Sequence, residues 1–382
     1  MTAPDLRLVG ACVLTPDGLQ DRPLCLSGGL LQECAPGREV DLRGFMVLPG
    51  IVDIHGDGFE RHLAPRRGAM KDMGQGLLAT EAELAANGIS TAVLAQFYSW
   101  EGGMRGPDFA ESMFTALADV GPRVVTDLRG QLRFEVAMLD AYDAAATFMS
   151  RHAIRHLVFN DHLPHEALDK GKRPKRLTGQ ALKVGCNPET YLAFMQDLHA
   201  RMPEVPAALD RLTARLAKNG VLMGSHDDRT AGDRAAWRAR GVRMAEFPET
   251  LDAAEAARAG DDAIIMGAPN VVRGGSHNGN ASAIDMAAMG LVDALASDYH
   301  YPSLRRAAFL LADSGITDLA AAWALISDGP ARLLGLRDRG SLRAGLRADL
   351  VILDEKTRTI GATLSGGRVS YMSGEAATRF LG

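Results

Sequence analysis

Eight apolar, strand-like runs recur along the middle of the chain, separated by stretches of helical pattern, and this alternation constrains the fold more than any other feature. The runs are LPGIVDI (48–54), ISTAVLAQF (89–97), QLRFEVAML (131–139) and IRHLVFN (154–160). They continue as GVLMGS (220–225), VRMAEF (242–247), AIIMGAP (263–269) and VDALAS (292–297). Between them lie helical segments such as ATEAELAANG and LDRLTARLAKNG, the second ending at a glycine suited to a helix C-terminus. Eight strands alternating with helices over roughly 300 residues predict an α/β fold, a parallel (β/α)8 TIM barrel. A doubly wound open sheet is the competing architecture, but no GxGxxG follows the first strand.

Residues 1–48 and the last 38 have a different texture, with short apolar pieces broken by Gly, Pro and Asp. They read as small strands with tight turns. The expected organisation is a small β-sandwich domain formed by both chain termini, 1–48 and 345–382, beside a barrel over 49–344. The content of 47% hydrophobic and 23% charged residues is that of a soluble globular protein. A formal charge of −5 argues against general nucleic-acid binding, which favours a strongly basic face. No basic and apolar leader opens the chain and no run approaches a membrane span, so neither secretion nor a membrane partner is expected. Cys12, Cys25, Cys34 and Cys186 form no CxxC pair, consistent with a reduced, cytoplasmic enzyme. Homo-oligomerisation is left open.

In a barrel the chemistry sits at the C-terminal strand ends, and these ends are where His, Asp and Glu gather here. His55 and Asp57 follow the first run, Glu135 lies in the third, and Asp161 and His162 follow the fourth. His226, Asp227 and Asp228 end the fifth, Glu246 is near the end of the sixth, and Asp298 and His300 follow the eighth. Imidazole and carboxylate suit zinc, manganese and iron, and the two side chains of an extended HxD pair point the same way. Blander readings exist: Asp298 could cap a helix beginning near Pro302, and Glu135 could pair with Arg133 or Arg129. His62, His152, His156 and His199 read as ordinary surface or satisfied histidines. The basic run DKGKRPKRL (169–177) reads as a solvated loop able to steer a polyanion. After the seventh strand, RGGSHNGN (273–280) offers open backbone N–H groups beside Arg273, Ser276, His277 and Asn280, donors suited to phosphate oxygens.

LPGIVDIH and GLRADLVILD resemble the amidohydrolase superfamily of metal-dependent hydrolases. More narrowly, HGDGFERHLAPR, GSHDD, AEFPET, MGAPNVVRGGSHNGN and LASDYHYPSL resemble the PhnM-like diphosphatases of the carbon–phosphorus lyase pathway, over nearly the whole chain. That resemblance implies hydrolysis of a ribose 1-methylphosphonate 5-triphosphate to the 5-phosphate and pyrophosphate. It implies two divalent metal ions held by His55, Asp57, His162, His226 and Asp298; no lysine is placed to serve as a carboxylated bridge, so Glu135 is the candidate bridging ligand. Asp298 and His226 are the implied catalytic pair, and Arg61, Arg273, Ser276, His277 and Asn280 bind a small phosphorylated sugar. HxD replaces the common superfamily HxH, which argues against a typical amidase or deaminase substrate.

Overall fold

The computed structural model describes residues 3–64, 72–274 and 282–382. Ser276, His277 and Asn280 therefore lie outside the described residues. Eight strands form one sheet in the order of the sequence. They run Ile51–Gly56, Ile89–Tyr98, Asp127–Glu135, His156–Asn160, Leu222–His226, Met244–Glu246, Ala263–Gly267 and Ala294–Ala296. First pairs with second, third with fourth, fourth with fifth, fifth with sixth, and seventh with eighth, all parallel. A parallel bridge between Gly56 and Asp298 links the first strand's end to the segment after the eighth. Helices intervene as the alternation predicts, and the sheet is a nearly closed (β/α)8 barrel.

The first and third strands depart most from the expected limits, each for a local reason. The first run is divided at Gly50, so that Phe45–Pro49 belongs to another sheet. A Cβ at Gly50 would lie 2.4 Å from Ser90 Oγ, so only glycine fits at this crossing. The third strand begins at Asp127 and stops at Glu135, because the chain turns after Val136 into a short 3-10 helix at Leu139–Ala141. Tyr142 Oη secures that turn by donating to the Val136 carbonyl at 2.8 Å.

The β-rich ends make two sheets. Leu6–Val9, Leu24–Ser27, Leu30–Gln32 and Arg38–Asp41 form a four-stranded sheet from the first part of the chain alone. The six-stranded sheet joins both regions: Phe45–Pro49 pairs in parallel with Cys12–Thr15 and antiparallel with Leu350–Asp354. Leu8, Leu26, Val47, Leu350, Leu364 and Phe380 belong to one buried core beneath these strands. Burial of such side chains is worth about 1.5–3 kcal/mol each.

By backbone proximity the chain divides into two compact units. One holds Met1–Leu94, Leu117–Arg129 and Ala263–Gly382, and the other holds Ala95–Ala116 and Gly130–Asp262. Among the described residues no helix is long and apolar enough to cross a membrane.

Candidate functional site

Within the first unit, His55 is fully buried at the end of the first strand, where its carbonyl accepts the amide of Asp298 at 3.0 Å. The Asp298 carbonyl in turn accepts the Asp57 amide at 2.9 Å. This reciprocal pair fixes the backbones of three expected site residues, His55, Asp57 and Asp298, against one another. Asp298 adopts a left-handed φ of 54°, an uncommon conformation for a residue with a side chain. It does not cap a helix: the next one spans Ser303–Asp313, with Pro302 at its N-cap. Beneath them Asp53 accepts the Ser297 amide at 3.0 Å and the Ser297 hydroxyl at 2.5 Å. Complete burial pushes the Asp53 carboxyl up against the opposing pull of Ser297.

Arg61 and Arg273, both expected to meet substrate, converge on one residue of this rim. Arg61 donates to the Tyr299 carbonyl at 3.2 Å and pairs with Glu83, while Arg273 donates to the Tyr299 hydroxyl. The Arg61 guanidinium also lies over the ring of Tyr301, 5.3 Å from its centroid. His62 is paired with Glu83 at 2.6 Å, as its reading as a satisfied histidine expects.

The second unit carries a polar column on the third strand. Side chains two apart share a strand face, and Gln131, Arg133 and Glu135 are all buried. Gln131 Nε2 donates to Glu246 Oε1 at 2.8 Å and also lies 3.2 Å from His156 Nε2. Arg133 donates to Asn160 Oδ1 and, at 3.1 Å, to His226 Nε2. Its guanidinium stacks 3.9 Å above the ring of Phe97, while Arg105 covers the same ring at 4.2 Å. Glu135 accepts the Trp100 indole N–H at 3.2 Å and the His162 amide at 3.1 Å, and bonds to His162 Nδ1. The alternative pairing of Glu135 with Arg133 or Arg129 is replaced by these contacts.

The column perturbs its histidines in opposite directions. Burial pulls His162 down, but the hydrogen bond and charge of Glu135 outweigh it and leave the imidazole raised. Burial lowers His226, against the pull of Asp227, whose Oδ2 lies 3.0 Å from His226 Nδ1. Asp227 has φ 61° and its amide donates to the Glu246 carbonyl, which ties the fifth and sixth strand ends together.

Donor atoms of Glu101, Glu135 and His162 lie within 4.8 Å of one another, and so do those of His226 and Glu246. This set of imidazoles and carboxylates has the composition that divalent zinc, manganese or iron accepts, so the residues present fit such ions. Glu101 was not anticipated. Its signal was its place just beyond the second strand, in FYSWEGG, where the aromatic run reads as core. Asp228 belongs elsewhere: it is buried, bonded to Ser225 Oγ at 2.7 Å and paired with Arg234 at 2.8 Å.

No protein-family model matches the sequence. The chain is 31% identical over 329 residues to the α-D-ribose 1-methylphosphonate 5-triphosphate diphosphatase of Escherichia coli (strain K12), covering 84% of this chain and 86% of the relative. Among solved structures it is similar to an amidohydrolase from a Sargasso Sea environmental sample (TM-score 0.63, 16% identity, 97% of this chain and 93% of that one). It is also similar to the 5-methylcytosine deaminase of Klebsiella pneumoniae (TM-score 0.63, 15% identity, 96% and 98%). A triazine hydrolase variant matches at TM-score 0.63 and 12% identity, covering 99% and 98%. At such identities the structural matches speak for the barrel fold, and the sequence match for the family. The chain is a hydrolase and belongs to the PhnM-type diphosphatase family.

Proposed function

We propose that the protein hydrolyses α-D-ribose 1-methylphosphonate 5-triphosphate to the 5-phosphate and pyrophosphate, in phosphonate catabolism. The observation that carries this reading is the 31% identity to the E. coli diphosphatase over 84% of the chain. Two divalent ions, zinc, manganese or iron, would be held at the C-terminal strand ends. Their donors are His55, Asp57 and Asp298 in one unit and Glu135, His162 and His226 in the other, with Glu101 and Glu246 added by the geometry of the second unit. A bound divalent ion supplies Lewis-acid polarisation and lowers the pKa of water near neutrality.

The chain's own groups supply positioning, charge and proton transfer. Asp298, its backbone fixed by His55 and Asp57, takes the proton of the attacking water at a carboxylate oxygen. The oxygen of that water bonds to the α-phosphorus, the bond from α-phosphorus to the bridging oxygen breaks, and pyrophosphate departs with that oxygen. His226, buried and held between Arg133 and Asp227, is fixed in orientation. Arg273 and Arg61, joined at Tyr299, offset charge on the phosphoryl oxygens.

The test is pyrophosphate release from the 5-triphosphate by purified protein of measured metal content. Release, with loss on Arg273→Ala, is expected. Inactivity on the triphosphate together with deamination or opening of a cyclic amide would overturn the reading in favour of another amidohydrolase reaction.

A further inference from the structure

The connection after the fourth strand is long, running from Asp161 to Val221, and much of it lies within a cap of three helices. These are His165–Asp169, Leu177–Lys183 and Pro188–Ala200. The cap has its own core, in which Leu168, Leu177, Tyr191 and Met195 cluster with Trp100. Trp100 is also the residue whose indole donates to Glu135. Val184, just past the middle helix, packs so near Gly102 that a Cβ there would sit 3.3 Å from its Cγ1. The cap is therefore seated on the loop that carries Trp100 and Glu101, at the rim of the second unit.

Its charge is unusual for this chain. Positions 170–183 hold six Lys and Arg and no Asp or Glu, in a protein whose formal net charge is −5. Lys170 pairs with Glu166 and Arg173 with Glu189. Lys172, Lys175, Arg176 and Lys183 are exposed, and no ion pair joins any of them to a described residue. Uncompensated cations raise the local concentration of anions and lose that power as salt rises. No aromatic residue interleaves them, as would suit a single-stranded nucleic acid.

We infer that this cap is a capture surface for the polyphosphate moiety of a small anionic substrate, with Lys172, Lys175, Arg176 and Lys183 as its attracting groups. The inference rests on the triphosphate chemistry proposed above and adds residues outside the expected site. Carboxylates crowd the strand ends, so a triphosphate needs a positive approach to a rim rich in Asp and Glu.

The test compares the wild-type protein with a variant carrying Lys172→Gln, Lys175→Gln, Arg176→Gln and Lys183→Gln, whose fold is checked by circular dichroism and thermal melting. Two quantities are read across a range of ionic strength: kcat/KM on the triphosphate, and binding of inorganic tripolyphosphate. The wild type should exceed the variant by about tenfold or more at low salt, with the gap closing as salt rises. Equal values and equal salt slopes in a folded variant would overturn the capture surface while leaving the diphosphatase reading intact. If no triphosphate is turned over, the tripolyphosphate measurement decides alone: salt-sensitive binding lost in the variant supports the surface, and its persistence refutes it.

Discussion

Removing Arg234 should be among the most damaging single changes in the second unit. Its side chain is fully buried on the helix Ala231–Ala239 and donates to Ser225 Oγ at 2.6 Å, Asp228 at 2.8 Å, Asp262 at 2.8 Å and the Val242 carbonyl at 3.2 Å. Arg234→Met keeps much of the volume and deletes the cation. Asp262 retains Arg238 and Arg243, so the stranded charge is Asp228, left with the Ser225 hydroxyl. Breaking a buried pair from one side costs about 3–5 kcal/mol, and the surviving partners of Asp262 place the expectation near the lower end. Burial already pushes the Asp228 carboxyl up, against Ser225 and Arg234, and without the arginine it should rise further. A carboxyl raised by folding carries its full penalty above the folded pKa, and the penalty fades as pH falls from that value to the lower, unfolded one. The deficit of the variant should therefore shrink in acid, and Asp228→Asn added to Arg234→Met should recover about 1–3 kcal/mol at neutral pH. Urea unfolding of the two variants and the wild type, at neutral and acidic pH, measures all of this. A single variant within about 1 kcal/mol of wild type, or a double variant no more stable than the single one, refutes the reasoning.

Two further changes probe the first unit. At Gly56 a Cβ would meet Asp53 Oδ2 at 2.7 Å and Ser297 Oγ at 2.8 Å, so Gly56→Ala should cost about 1–3 kcal/mol and lower hydrolysis, as thermal melting and the pyrophosphate assay would report. Asp127 is held low because Arg129 and Arg339 outweigh the opposing effect of burial. Its contribution is present above the ordinary aspartate range and is lost as pH falls through the lowered folded value. Asp127→Asn should therefore cost about 1–3 kcal/mol at neutral pH, a deficit that urea titrations should find closing in acid.

The barrel could be read from the sequence because its signal is repeated: apolar runs such as Ile89–Phe97 and Ala263–Gly267 are buried along nearly their whole length, as strands covered on both faces require. The clustering of His55, Asp57 and Asp298 was legible for a topological reason, since strand ends of a barrel share a rim. The interior column was not. Gln131, Arg133 and Glu135 alternate with Gly130, Leu132 and Phe134, a pattern equally written by a strand with one solvated face. Only the positions of Asn160, His226 and Glu246 show that this face is enclosed. Glu101 escaped because its value lies in proximity to Glu135 and His162, 34 and more residues away, and a single sequence does not encode such distances locally.

The sheet that unites both regions has a bearing on biosynthesis. Phe45–Pro49 leads through Gly50 into the first barrel strand, yet its antiparallel neighbour is Leu350–Asp354. While the ribosome is still translating the intervening three hundred residues, one edge of that strand stays open, with the apolar side chains of Val47 and Leu48 beside it. An unpaired hydrophobic edge invites pairing with other nascent chains, so messages cut short before Leu350 should yield aggregates rather than a smaller folded barrel.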